Sequence, residues 1–502
     1  MEKQKSLVLV TIDCLRADHA GFMGYNRPTT PYLDKLADES FVFPTAIVAG
    51  APTYYSFPAI LASRYPLALG RDVLGVGPGE TTLASALQAS GYTTAAFVAG
   101  NPYLSARFGY EQGFTSFEDF LRDGLEPLSE EKSAALSSRS NRKWHRLNRR
   151  LDRWTHAFGT LGRVYDNLYF QYCQRLATAR PESLDVLRRF PAADVIVSQA
   201  LDWASSVKES PFFLWLHLMD PHAPYYPKQE ALQLMDADTV TPFRARYLNS
   251  CWNRSDLSAG SRRRYREDIV ALYDAGIRWV DVQMARLIQK LQETGLWQDC
   301  VFALTADHGE EFLDHGGCYH PPSSLAEELI HVPLLLRIPG TVKRVLPRIP
   351  FSLLHLVPTL MDVLQLDIPP GFRGESHLKQ IVAGTHWDDL AISESVAECT
   401  NPFRRANRFG SRVLVIRRER MKLVLHLGTG AEELYDLHAD PQEKSPLPID
   451  AEREVRRRLL DCARIHIQSS GSEREPEIRL RASLREIRNE CLQKTPSDGE
   501  LG

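Results

Sequence analysis

The chain has 502 residues, 43% of them apolar, with 60 Lys and Arg against 63 Asp and Glu and a net charge of -3. That length can bury a large core, and the near-neutral balance gives no global electrostatic argument for nucleic acid or an acidic polymer. No run approaches the roughly 20 apolar residues of a membrane-spanning helix, and the eight cysteines are scattered without a C-x-x-C pair. Dispersed thiols fit a reducing, cytoplasmic setting better than a disulfide scaffold. Ser6 to Asp13 is a continuous apolar run ending in an acid, the pattern of a central parallel strand. Its basic, apolar start imitates a secretion leader, but Asp13 interrupts it without a small-residue cleavage site.

Thr30-Pro31 opens a helix, with Thr as N-cap, Pro at the first position, and Leu33, Leu36 and Ala37 on one face. Thr82 to Ser90 reads as a helix closed by Gly91, and Thr93 to Ala99 as a strand that stops at Gly100-Asn101. From about Leu121 to Pro191 the character changes. Seven Lys and Arg between Arg139 and Arg153 are interleaved with Trp144 and Trp154. Such a stretch binds a phosphate-rich surface or is a solvated insertion, and the overall charge favours the second reading. Phe212 to His217 is another buried-type strand. An amphipathic helix runs from about Arg264 to Thr294, and a strand from Val301 precedes Asp307-His308. Strands alternating with helices predict an α/β fold with a mainly parallel central sheet sandwiched by helices. After Leu364 short strands (Val413 to Ile416, Lys422 to Leu427) predict a smaller C-terminal α+β subdomain. The expected division is 1–365 with the insertion at about 121–191, 366–447 for the subdomain, and a polar helical tail at 448–502.

Four strand ends carry polar groups: Asp13, the turn near Thr53, His217 to His222, and Asp307-His308. In a parallel sheet the carboxyl ends of strands line the ligand crevice. Neighbouring Asp and His there are either a pair of metal ligands or an ordinary loop with a capping acid.

The runs TIDCLRADHAGFMGY, TTPYLDKLADESFVF, APTYYSFPAILASRYP, HLMDPHAPY, LTADHGEEFLDHGG and ELYDLHADPQE, in this order, resemble the sulfatase family of the alkaline phosphatase superfamily. The resemblance spans most of Leu7 to Glu443 and is weakest over 121–191. It implies an ester hydrolase acting on a small sulfate or phosphate ester, with a nucleophile at a helix N-terminus bound to a divalent metal. In the family that nucleophile is a Cys or Ser converted to formylglycine within C-x-P-S-R-x-x-L-x-T-G-x-x-P. Alignment through Ile60, Leu61, Tyr65 and Pro66 puts Thr53 at the nucleophile, Tyr55 at the Pro and Phe57 at the Arg. Threonine cannot become formylglycine, so this register excludes the modification. A competing register makes Ser56 the nucleophile.

The resemblance assigns metal ligation to Asp13, Thr53, Asp307 and His308, with Cys14 where a further Asp is usual. Loss of that oxygen shifts the expectation toward Mn2+ or Zn2+, with Mg2+ and Ca2+ also compatible. His222 matches the residue that contacts substrate or protonates the leaving group, His315 another histidine near the substrate, and Asn101 a basic residue on the substrate anion. A second metal built from His315 with Asp220, His217 or His320 is the two-metal alternative, and for His217 and His320 structural hydrogen bonding is the simpler role. Two other readings follow: a phosphodiesterase or phospho-group transferase of the same superfamily, and a binding protein that kept the fold and lost catalysis.

Overall fold

Long apolar runs build the centre of the sheet. A computed structural model describes residues 4–121, 183–207, 210–254, 259–341 and 344–469. Its main sheet comprises β1 (Ser6–Ile12), β2 (Phe41–Val42), β3 (Thr93–Val98), β4 (Ser116–Glu118), β5 (Phe212–Leu218), β6 (Cys300–Ala306), β7 (Leu334–Arg337) and β8 (Arg344–Val345). The spatial order is β8-β2-β7-β6-β1-β5-β3-β4. Strands β6, β1, β5, β3 and β4 pair in parallel, and β7 runs antiparallel to both its neighbours. Every side chain of β5 and β6 is buried, as are all but the first of β1. Strands hidden on both faces need helices above and below, which is why their sequences are continuous apolar runs without alternation.

The principal helices are α1 (Pro31–Ala37), α2 (Thr53–Ala62), α3 (Leu83–Ala89), α4 (Ala193–Ser206) and α5 (Ala259–Glu293). Thr82 caps α3, accepting from Ser85 N at 3.1 Å. Thr30 does not cap α1. Its hydroxyl donates to Asp34 at 2.8 Å, and the orphan amides of Tyr32 and Leu33 donate instead to Asp281 of α5, at 3.1 and 2.8 Å. A carboxylate from another element here replaces the local cap, satisfying the same donors.

The C-terminal sheet is an antiparallel meander of β9 (Ala391–Val396), β10 (Arg412–Arg418), β11 (Met421–His426) and β12 (Ala431–Asp436). Helix α6 (Arg453–Ser469) packs on it through Leu459, Ala463 and Ile467, spaced by four along one face. Their core with Leu414, Ile416, Leu423 and Leu434 is separate from that of the main sheet. The expected tail from 448 therefore begins with a packed helix. Residues 122–182 of the insertion and 470–502 of the tail lie outside the described residues. No described helix is long and apolar enough to cross a membrane.

Candidate active site

Register brings the first two acids together. Ile12 pairs with both Leu218 of β5 and Ala306 of β6, so Asp13 and Asp307 leave adjacent strands at one level. His217 sits on β5 opposite Val98 of β3, three residues before Asn101. All four side chains are at most 2% exposed. Asp13 Oδ2 accepts from Asn101 Nδ2 at 2.9 Å and lies 3.3 Å from His217 Nε2. Asp307 Oδ1 accepts from the backbone amides of Cys14 at 3.3 Å and His308 at 2.9 Å.

Thr53 is the first residue of α2, a helix whose ten side chains are all buried. Its Oγ1 lies 3.2 Å from His308 Nε2. The positive end of the helix dipole favours negative charge at this position. His308 Nδ1 lies 2.8 Å from the Gly309 carbonyl. A carbonyl only accepts, so the ring proton is on Nδ1 and the Nε2 lone pair faces Thr53 and the acids. Gly309 allows this turn because a Cβ there would stand 1.8 Å from the Glu328 carbonyl oxygen. Ser56, by contrast, turns its hydroxyl back onto the Thr53 carbonyl at 3.1 Å. Phe57, at the position of the family's Arg, is fully buried with its ring edge-on to His217.

Burial pushes the Asp13 carboxyl up, but His222, His217 and His308 outweigh it and hold the group well below the usual range. Asp307 is pushed up, by burial and by the Asp13 charge. Asp307 Oδ2 is buried without a hydrogen-bond partner, which is uncommon for a carboxylate oxygen. Two carboxylates, an imidazole lone pair and a hydroxyl, with one oxygen left over, fit a divalent cation of the Mn2+, Zn2+ or Mg2+ type.

A ring nitrogen of His222 lies within 4.8 Å of an Asp13 oxygen and of Cys14 Sγ, which places it at this site. Three other candidates have different surroundings. Asn101 directs its amide nitrogen at Asp13, which makes it a support for a carboxylate where a substrate contact was expected. His315 pairs with Glu328 at 2.7 Å and with the Gln442 carbonyl at 3.0 Å, in a group with Glu311 and Glu328, apart from Asp13. The Glu328 hydrogen bond raises its pKa to about 9, so it is an imidazolium strut there. Asp220 accepts from Arg188 at 2.7 Å and from Ala193 N, the first amide of α4, at 3.0 Å. Sequence reasoning gave no role to Glu310 or Tyr273. Tyr273 donates to Cys14 O at 2.7 Å and accepts from Arg16 N at 3.0 Å, holding the turn after β1. Only a partner 259 residues away reveals it.

A mainly parallel sheet with acids, histidines and a helix-borne hydroxyl at one rim defines an ester hydrolase of the sulfatase and alkaline phosphatase-like fold. Residues 5–366 match the Sulfatase family, and the chain belongs to it. It is 23% identical over 477 residues to an arylsulfatase of Clostridium perfringens, covering 88% of this chain and 90% of that protein. Among solved structures it is similar to the phosphonate monoester hydrolase of Agrobacterium radiobacter, with TM-score 0.63, 20% identity and coverage of 93% and 96% of the two chains. It is also similar to a 2-O GAG sulfatase, with TM-score 0.64, 16% identity and 93% coverage of each chain.

Proposed function

We propose that the protein is a metal-dependent hydrolase of sulfate or phosphate esters in which Thr53 is the nucleophile. The observation that carries this reading is Thr53 Oγ1, at the N-terminus of α2 and 3.2 Å from His308 Nε2, beside the buried acids Asp13 and Asp307. Asp13, Thr53, Asp307 and His308 would hold one divalent cation, which when bound favours the alkoxide of the nucleophile and polarises the ester oxygens. The Thr53 hydroxyl proton leaves to solvent, Oγ1 bonds to sulfur or phosphorus as the bond to the leaving oxygen breaks, and His222 gives that oxygen its proton and regains one from solvent. Water then cleaves the ester on Thr53, restoring the hydroxyl. Asn101 and His217 keep Asp13 oriented throughout.

Threonine cannot take the formylglycine modification, and this favours phosphate monoesters or diesters, or transfer of the phosphoryl group to another acceptor. The phosphonate monoester hydrolase among the fold relatives supports the same direction. The six cysteines among the described residues are free, which supports the cytoplasmic setting expected from their scatter. Purified protein supplied with Mn2+ or Zn2+ is assayed on aryl sulfate, phosphate monoester and phosphate diester substrates. Turnover on at least one is expected, abolished by Thr53→Ala and by chelation and retained in Ser56→Ala. Peptide mass spectrometry is expected to find residue 53 as unmodified threonine. No metal-dependent turnover above the Thr53→Ala background on any of the three overturns the reading.

A further inference from the structure

Three side chains beside this group take no part in that reaction: Cys14, Glu310 and His320. Glu310 is fully buried, and a buried carboxylate needs cations or strong donors around it. Its Oε1 accepts from the Tyr225 hydroxyl at 3.0 Å, and its Oε2 is 3.1 Å from His320 Nδ1. The same Nδ1 is 3.5 Å from Cys14 Sγ, which in turn is 3.0 Å from Asp13 Oδ1. Cys14 occupies left-handed backbone, at φ 61°, and is fully buried. Such a conformation is uncommon for a non-glycine residue, and it persists only where surrounding contacts hold it. Here Tyr273 does so, and the turn aims the sulfur at His320.

We propose that Cys14 Sγ, Glu310 Oε2 and His320 Nδ1 form a second divalent-cation site, of the zinc class. Zinc bonds of about 2.0 Å to nitrogen and oxygen and about 2.3 Å to sulfur, at tetrahedral angles, put ligand atoms roughly 3.3–3.6 Å apart. The separations of 3.1 Å between Glu310 and His320 and 3.5 Å between Cys14 and His320 are close to that spacing. Asp13 Oδ1 lies 3.0 Å from the sulfur, next to this group. A thiolate with an imidazole selects zinc over Ca2+ or Mg2+, which prefer oxygen alone. On binding, the cation replaces the thiol proton, which leaves to solvent, and His320 carries its proton on Nε2. Tyr225 supplies the outer hydrogen bond that fixes the Glu310 ligand. A cation here restores positive charge to a rim where Phe57 and Asn101 stand in place of basic residues. The claim rests on these side chains alone and does not require Thr53 to be the nucleophile.

The test loads the full chain, stripped by chelation, with Zn2+ or Co2+. Elemental analysis is expected to find two ions per chain, and the Co2+ form to show a near-ultraviolet sulfur-to-cobalt charge-transfer band. Cys14→Ser is expected to lose the band and one ion. His320→Ala, at a side chain one-fifth exposed and away from the turn at Cys14, is expected to lose one ion and weaken the band. Asp307→Asn is expected to lose the other ion and keep the band, so failure at either site is read separately. Circular dichroism and thermal melts establish that each variant is folded. A folded wild type without the band, or a Cys14→Ser protein that still holds two ions, overturns the proposal.

Discussion

Asp13 is supported by Asn101 and His217 on one oxygen and by the Cys14 thiol on the other, with no solvent contact. Removing Asn101 leaves the first oxygen short of a donor in a place water does not reach, at about 1–3 kcal/mol. Outer partners of metal ligands typically change metal affinity by about 10–100-fold. Asn101→Ala is therefore expected to weaken Mn2+ or Zn2+ binding by that factor in a calorimetric titration, with kcat falling alongside. If Asn101 instead contacts the substrate anion, KM rises while metal affinity is unchanged, and the support role is wrong. The amide hydrogen bond to Asp13 favours the first outcome, because among the described residues the same nitrogen has only the weak Met219 sulfur contact, at 3.5 Å, as its other partner.

At the scale of elements, the C-terminal sheet is joined to the catalytic region by buried charges. Lys422 of β11 has no exposed side-chain surface; its Nζ donates to the Leu325 carbonyl at 2.8 Å and pairs with Glu443 at 2.6 Å and Glu327 at 3.3 Å. Glu327 also pairs with Arg417 of β10. Lys422→Met removes the cation shared by the buried Glu443 and the largely buried Glu327, and breaking such a group from one side costs about 3–5 kcal/mol. The variant is expected to unfold at clearly lower denaturant concentration, and a midpoint within error of wild type contradicts this account. None of these pairings was legible in the sequence: those to Leu325 and Glu327 join residues 90 or more apart, and Lys422 and Glu443, though nearer, share no local pattern. The long strands were legible because burial on both faces writes an unbroken apolar run. Phe41–Val42 was not, because two residues carry no periodicity. Asp13, Asp307 and His308 stood out as polar groups ending such runs. His315 was drawn in by the family resemblance, but the Glu311–Phe312 and Cys318–Tyr319 hairpin carries it toward Glu328. Cys14 and His320, 306 residues apart, gave no sign of each other.

For the whole molecule, the same seam sets the response to acid. Burial pushes Glu327 up, but Arg417 and Lys422 outweigh it and hold its pKa at about 2. Glu394 of β9 is likewise pushed up by burial and drawn far below the carboxylate range by Arg412 and His466. It also accepts from Leu67 N at 2.9 Å, tying the loop beyond α2 to the C-terminal sheet and to α6. A carboxyl with a depressed folded pKa contributes stability that is complete above its unfolded value and lost as pH falls through its folded value. Glu443 is raised, by burial first, and acts in the opposite direction. It is one group against two, and both depressed acids lie on the seam. The contribution of these two acids is therefore expected to be complete near neutrality, to begin falling below about pH 4.5, the ordinary range of Glu, and to keep falling toward pH 2. Hydrogen exchange followed from pH 7 to 3 is expected to lose protection first in β9 to β12 and α6, while β1, β5 and β6 stay protected. Apart from His217, which faces Asp13 at 3.3 Å at the end of β5, those central strands carry no charged side chain and depend mainly on burial that pH does not alter. Simultaneous loss of protection across both sheets would mean that the seam does not open before the core.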